Sequence, residues 1–244
     1  MDDGQGAGGL TYRELKTPEE MRAAFAIQVE VWGREDATPV NQLLISVKVG
    51  GHVLGAFDGE RLVAFAYGFP AYLPGRPPWL ASHMLAALPA YRGRGVGREL
   101  KWRQREWCLE RGIRLMTWTF DPLEARNAHL NLNVLGAVGG EYVVNCYGEM
   151  DDRLNRGLPS DRLVAHWELD GPRAQAARRG ELAPPRDGRR VAIPRDLQAI
   201  KQADMATALE ERLRVRSALV PALDEGWVVA AYDRGRSELV LVRK

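Results

Sequence analysis

Arg92-Gly93-Arg94-Gly95-Val96-Gly97 is the run most clearly built for chemistry. An apolar run, Leu80 to Leu88, and then Pro89-Ala90-Tyr91 precede it; a segment with helical spacing follows. Strand, glycine-rich turn and helix are therefore expected in immediate succession. Such a turn aims several backbone N–H groups at one point, and a helix start adds the positive end of its dipole. Glycine lets the backbone approach a phosphate with no Cβ in the way. The chemistry this suits is a pyrophosphate cradle; the plain alternative is a tight turn that holds nothing. Two familiar phosphate loops are excluded. No Lys-Ser/Thr follows the last glycine, and the glycines at 93, 95 and 97, with none at 98, break the Gly-x-Gly-x-x-Gly order.

The elements that must position this turn can be read along the chain. Residues 1–9 are acidic and glycine-rich and read as a disordered tail, and Leu10 to Glu14 as a first strand. Thr17-Pro18-Glu19-Glu20 has the form of a capping box with proline at the first helical position. A stripe of Met21, Phe25, Gln28, Val29 and Trp32 marks the helix face, which stops near Gly33. A second helix is expected over 41–49. His52 to Phe57 and Arg61 to Phe69 read as strands joined at Asp58-Gly59. The helix after the glycine turn should run from Val96 to Arg111, bury Val96, Leu100, Trp107 and Cys108, and end at Gly112. Beyond it come a strand from Arg114 to Phe120, a helix from Glu124 to Leu135, and strands over 141–147 and 163–169. Residues 171–190 read as an Arg/Pro-rich linker. Over 191–244 a short strand, a helix capped by Asp196 with Leu209, Leu213, Arg216 and Val220 on one side, and a hairpin around Arg234-Gly235 are expected. That tail is small for an independent domain and should pack on the first domain or on a second subunit, as in a homodimer.

Composition restricts the function classes. The chain has 244 residues, 45% hydrophobic and 27% charged, the balance of a globular protein. A net charge of +2 and the lack of aromatics among the arginines of 173–190 argue against nucleic acid as partner. Cys108 and Cys146 make neither a disulfide framework nor a zinc site, so no metal is expected and a reducing, cytoplasmic setting is the simpler reading. Met1 to Gly9 lacks the basic start and apolar core of a signal peptide, and no run is apolar enough to span a bilayer.

Arg92, Gly95 and Gly97 fit the spacing Arg/Gln-x-x-Gly-x-Gly/Ala, and with the lead-in Pro89-Ala90-Tyr91 they resemble the coenzyme A signature of the GNAT acyltransferase superfamily. The order strand-helix-helix-strand-strand-strand-helix-strand-helix-strand-strand extends the resemblance over residues 10–170. The fold it implies is α/β (α+β): a mixed, mostly antiparallel sheet flanked by helices, here with a C-terminal α/β appendage. The activity it implies is transfer of an acetyl or other short acyl group, succinyl included, from an acyl-CoA co-substrate to a small-molecule amine such as an amino acid. The segment 118–127 and the loop 156–162 are similar to a GNAT subgroup associated with N-acylamino acid metabolism. A CoA-binding protein without catalysis is the competing reading.

The resemblance also assigns residues. The backbone of Arg92, Gly93, Arg94, Gly95, Val96 and Gly97 would hold the pyrophosphate, with charge from Arg92, Arg94 and Arg98. Leu85, Ala86 and Ala87 would offer backbone groups to the pantetheine arm, and Asn127 and Asn131, four apart, would share a face toward the cofactor. His83 is the first candidate base, since imidazole titrates near neutrality; a hydrogen-bonded structural histidine is the alternative. Glu30 is the second. Leu132 occupies the position where many members carry an acidic tyrosine, which turns attention to Tyr142 or Tyr147. The polar loop 148–162, with Glu149, Asp151, Asp152, Arg153, Arg156, Asp161 and Arg162, would border the acceptor pocket or lie as an ordinary surface loop.

Overall fold

Thr17 starts the first helix as its spacing predicts. In the computed structural model its hydroxyl accepts from the Glu20 amide at 3.3 Å, while the Glu20 carboxylate accepts from the Thr17 amide at 2.9 Å. This model describes residues 9–148, 156–185 and 187–244. Most of the glycine-rich tail and the loop residues Glu149, Asp151, Asp152 and Arg153 lie outside the described residues.

The chain forms two compact units, divided between Met116 and Thr117. In the first, β1 (Thr11–Glu14), β2 (His52–Asp58), β3 (Arg61–Ala71) and β4 (Trp79–Ala87) pair in that order, each antiparallel to the next. Helices α1 (Pro18–Val31), α2 (Val40–Lys48) and α3 (Val96–Glu110) cover this sheet. Its core gathers Met21, Leu43, Val63, Phe65, Val96 and Leu100. The buried face of α1 is turned from the expected stripe: Ala24 and Ile27 are inside with Met21 and Gln28, while Phe25 and Val29 stay at the rim. Small Ala24 lets the helix sit close to the sheet, which no count of large apolar residues would reveal.

The second unit has β5 (Leu115–Phe120), which crosses the boundary, then β6 (Val138–Val143), β7 (Arg162–Glu168), β8 (Arg189–Ala192), β9 (Trp227–Asp233) and β10 (Glu238–Arg243). The strands lie in the order β5-β7-β6-β9-β10-β8. The pairs from β7 through β8 are antiparallel. Its helices are α4 (Ala125–Ala128), α5 (Pro172–Arg179), α6 (Leu197–Ala203) and α7 (Met205–Asp224). The architecture is thus mixed α/β with a mostly antiparallel sheet flanked by helices, as expected.

Several local expectations need correction in this unit. The helix expected over 124–135 is one turn of α-helix followed by a π-helical stretch, His129–Val134. Strand β6 ends at Val143, so Tyr147 lies in the turn beyond it. The stretch 171–190 is no plain linker, because it contains α5. Arg173 anchors that helix by donating to the Gly136 and Ala230 carbonyls at 3.3 and 2.7 Å. The single helix expected from Asp196 is broken at Asp204, whose extended backbone (φ −157, ψ 110) ends α6 and caps α7 through the Ala206 amide. On α7 the buried positions are Ala208, Arg212, Val215, Leu219 and Ala222, whereas Leu209 and Leu213 are exposed. Burying Arg212 against an acid turned the helix away from its leucine face.

Candidate functional site

The run between β4 and α3 is built from conformations that only glycine accepts readily. Gly93 and Gly95 have φ of +75° and +81°, and Gly95 caps α3 from the left-handed region. A Cβ at Gly97 would come within 3.4 Å of Leu85 Cδ2, so glycine there lets the first turn of α3 approach β4. The side of the turn at Gly93 is open, with nothing within 4 Å of a Cβ placed there. Tyr91 and Arg92 amides are spent on the Leu88 and Pro89 carbonyls, and Glu99 donates to the Gly95 carbonyl at 3.0 Å. Between them, the amides of Gly93 to Arg98 have no partner among the described residues. They form a cluster of donors at the positive end of a 15-residue helix.

Three arginines surround this turn. Arg92 donates to the Ala87 carbonyl at 3.1 Å, tying the turn to the strand end. Arg94 lies over the Tyr91 ring at 5.2 Å, and Tyr91 donates to Asp58 at 2.6 Å. Arg98 is exposed. Leu85, Ala86 and Ala87 pair in sequence with Ala66, Phe65 and Ala64 of β3.

Strand β4 carries a bulge. Met84 pairs with Tyr67 and Ser82 with Gly68, so His83 is the extra residue. Its effect is to put two successive side chains on one face. His83 lies against Tyr67 and Phe69, at ring separations of 6.0 and 5.9 Å, and Met84 sulfur accepts from Thr38 at 3.5 Å. Ser82 faces the other way, into α3. Although His83 retains an exposed edge, its aromatic wall desolvates the ring and lowers its pKa below the usual imidazole value. A strand turn followed by an open cluster of amides, with a neutral imidazole farther down the strand, is an arrangement for holding a phosphate ester and moving a proton.

The Acetyltransferase (GNAT) family model matches residues 14–132, from the end of β1 through the π-helical stretch. The chain belongs to the GNAT superfamily. Solved GNAT structures share the fold. Ribosomal-protein-S18-alanine N-acetyltransferase from Escherichia coli is 17% identical at a TM-score of 0.53, covering 66% of this chain and 95% of its own. The yncA protein of Salmonella typhimurium, solved with its cofactor acetyl-CoA, is 17% identical at a TM-score of 0.53, covering 68% and 95%. The NatC complex bound to Gag peptide and CoA is 12% identical at a TM-score of 0.52, covering 65% and 98%. No curated protein matches the sequence.

The other residues nominated from the GNAT resemblance are distributed as follows. Glu30 is exposed in the last turn of α1. Tyr147, also exposed, shares a 2.7 Å hydrogen bond with Thr119 and has the Arg162 guanidinium over its ring at 5.4 Å. Tyr142 donates to Asp161 at 2.7 Å; burial, then that carboxylate, raises its pKa. Asn127 and Asn131 do not share a face: Asn127 is exposed and Asn131 is 4% exposed. The wider π-helical winding explains this, because four residues no longer complete a turn. Asn133 has a structural task, donating to the Tyr232 carbonyl at 2.9 Å and accepting from the Tyr232 amide at 2.8 Å. Leu132 is fully buried.

Sequence reasoning missed Lys101 and Gln104. Both are buried on α3, and Lys101 donates to Ser82, the neighbour of His83, at 2.7 Å. Their signal was present: Gly97, Lys101, Gln104 and Cys108 make one stripe at helical spacing, with two polar residues where apolar ones belong. Among the described residues no group of three His, Cys, Asp or Glu side chains could hold a metal, and no helix is long and apolar enough to cross a membrane.

Proposed function

We propose that the protein is an acyl-CoA-dependent N-acyltransferase that moves an acetyl, succinyl or other short acyl group to the amine of a small molecule such as an amino acid. The observation that carries this reading is the open run of amides from Gly93 to Arg98 at the start of α3. An acyl-CoA supplies a pyrophosphate for that run and an activated thioester carbonyl. Arg92, Arg94 and Arg98 add charge around the phosphates, and the backbone of Leu85, Ala86 and Ala87 orients the pantetheine arm. His83, kept neutral by its lowered pKa, takes the proton that the attacking amine must lose as the new C–N bond replaces the C–S bond. Glu30 is the second candidate for that role.

Thermal shift with CoA, acetyl-CoA and succinyl-CoA tests the cradle, since a ligand that binds the folded state raises Tm. Thiol release is then followed with amino acids, small amines and peptides bearing a free N-terminus; the peptide arm is included because the Escherichia coli structure of similar fold is named for an alanine N-terminus. A protein that ignores every CoA thioester overturns the reading. Binding without thiol release across the panel favours a CoA-binding regulatory protein instead. His83→Ala should lower kcat about 100-fold or more with CoA binding intact. In the wild type, kcat/KM should rise with pH through a value below 6.5 and then level off, because burial disfavours the charged imidazole. Tyr147→Phe and Asn127→Ala test the residues of the second unit that the resemblance nominates.

A further inference from the structure

Under α3 a line of hydrogen bonds passes through four buried side chains. Lys101 Nζ donates to Ser82 Oγ at 2.7 Å, Ser82 donates to Gln104 Oε1 at 2.9 Å, and Gln104 Nε2 meets His52 Nε2 at 2.9 Å. The chemistry of the groups sets the direction. Ser82 accepts from the lysine and places its one proton on the Gln104 carbonyl oxygen, which leaves the Gln104 amide nitrogen facing His52. An amide nitrogen only donates, so His52 Nε2 accepts and the imidazole proton sits on Nδ1.

That Nδ1–H has no acceptor among the described residues, although His52 is only 2% exposed. A buried donor left unmade costs about 1–3 kcal/mol. The residue borders a cavity of about 200 Å³. Glu14 and Leu15 at the end of β1, Val47 to Gly51 at the end of α2, and Trp107 and Arg111 at the end of α3 complete its wall. The Arg111 guanidinium stacks on the Trp107 ring at 4.2 Å, and that ring meets the His52 imidazole edge-on at 4.2 Å. Cation, indole and imidazole donor therefore stand in one layered group, with a carboxylate in the same cavity wall. His52 shares a row of the sheet with Gly68 and Ser82, five positions down β4 from Ala87 and the glycine turn.

We propose that this cavity binds a small zwitterion, an α-amino acid with a short side chain. Its carboxylate accepts from His52 Nδ1–H and Arg111, and its ammonium faces Glu14. A plain anion is disfavoured because Glu14 would face it without a counter-charge. The aliphatic wall of Leu15, Val47 and Val53 leaves room for a methyl or ethyl side chain only. This site is separate from the glycine turn, and its binding requires no acyl-CoA, so it stands or falls independently of the proposed transferase activity.

The test uses full-length protein labelled with ¹⁵N-histidine and titrated with glycine, alanine, acetate and methylammonium. The His52 Nδ1 resonance should be of the protonated type and should move saturably with glycine and alanine, while acetate and methylammonium bind at least about tenfold more weakly. Arg111→Gln and Glu14→Gln, at exposed ends of their elements, should each weaken glycine binding by about tenfold or more while Tm without ligand is kept. A bare Nδ1, no saturable shift up to high millimolar glycine, or an unchanged titration in R111Q overturns the proposal. Acetate binding as tightly as glycine overturns the zwitterion assignment.

Discussion

Each unit buries a polar cluster, and the two are built on opposite electrostatic terms. In the first, Lys101, Ser82, Gln104 and His52 are linked by hydrogen bonds to neutral partners. Burial pushes the Lys101 pKa down to about 7. It pushes His52 down to about 3, helped by the positive Lys101 and Arg111. In the second, charges are matched. Arg212 donates to both oxygens of Asp121 at 2.8 and 2.5 Å, and Arg216 to both oxygens of Asp161 at 2.8 Å. Burial alone would raise Asp161, but hydrogen bonds from Arg216 and Tyr142 outweigh it and lower its pKa. Burial works against the Arg212 charge as well, and the Asp121 carboxylate more than restores it. An unmatched cluster yields its charge; a matched one holds it. The first unit is therefore tuned to pH near neutrality, and the second is indifferent to it until carboxylates protonate.

The largest expected break in this contrast is in the second unit. Arg212→Met should destabilise the protein by about 3–5 kcal/mol, because it leaves Asp121 buried without its partner. Chemical denaturation checks this, and adding Asp121→Asn should recover part of the loss. Next comes acid. His52 ordinarily titrates at 6.5 and does so at about 3 in the fold, so between these values the unfolded chain binds the extra proton. Stability should then fall by about 1.4 kcal/mol per pH unit as pH drops below 6.5, and His52→Leu should remove that slope. Asp161 responds only at lower pH, since its stabilisation is present above the ordinary 3.8 and is lost as pH falls through its lowered value.

A substitution of opposite sign sharpens the comparison. Lys101→Met should stabilise the first unit by about 2 kcal/mol at pH 7, since an apolar side chain avoids the desolvation of an ammonium. The gain should shrink as pH climbs from 7 toward 10.5, because over that range the folded lysine is already neutral while the unfolded one still carries its proton. The smallest effect lies outside both clusters. Gly95→Ala should cost about 1–2 kcal/mol for its left-handed backbone, and its larger consequence should be seen in CoA binding by thermal shift.

Much of the first unit was legible in the chain. The capping box at Thr17, the hairpin at Asp58-Gly59 and the glycine turn at Arg92 to Gly97 are local instructions, each satisfied by residues within a few positions of one another. Less was legible beyond Phe120. The winding of 129–134, the break at Asp204 and the rotation of α7 about Arg212 depend on partners far away in sequence. Within the candidate site, the open turn was readable from its glycines, whereas the bulge that isolates His83 was not, because a bulge is a property of two strands in register.

What the sequence determined by itself is the backbone chemistry of the glycine turn: φ at Gly93 and Gly95 and the free amides of a helix start follow from residue type and order. What only tertiary structure decided is the charge state of the side chains around it. The same histidine titrates differently at 52 and at 83, and a lysine on α3 loses its charge near neutrality, because desolvation and the nearest ionised neighbour are set by which elements pack together.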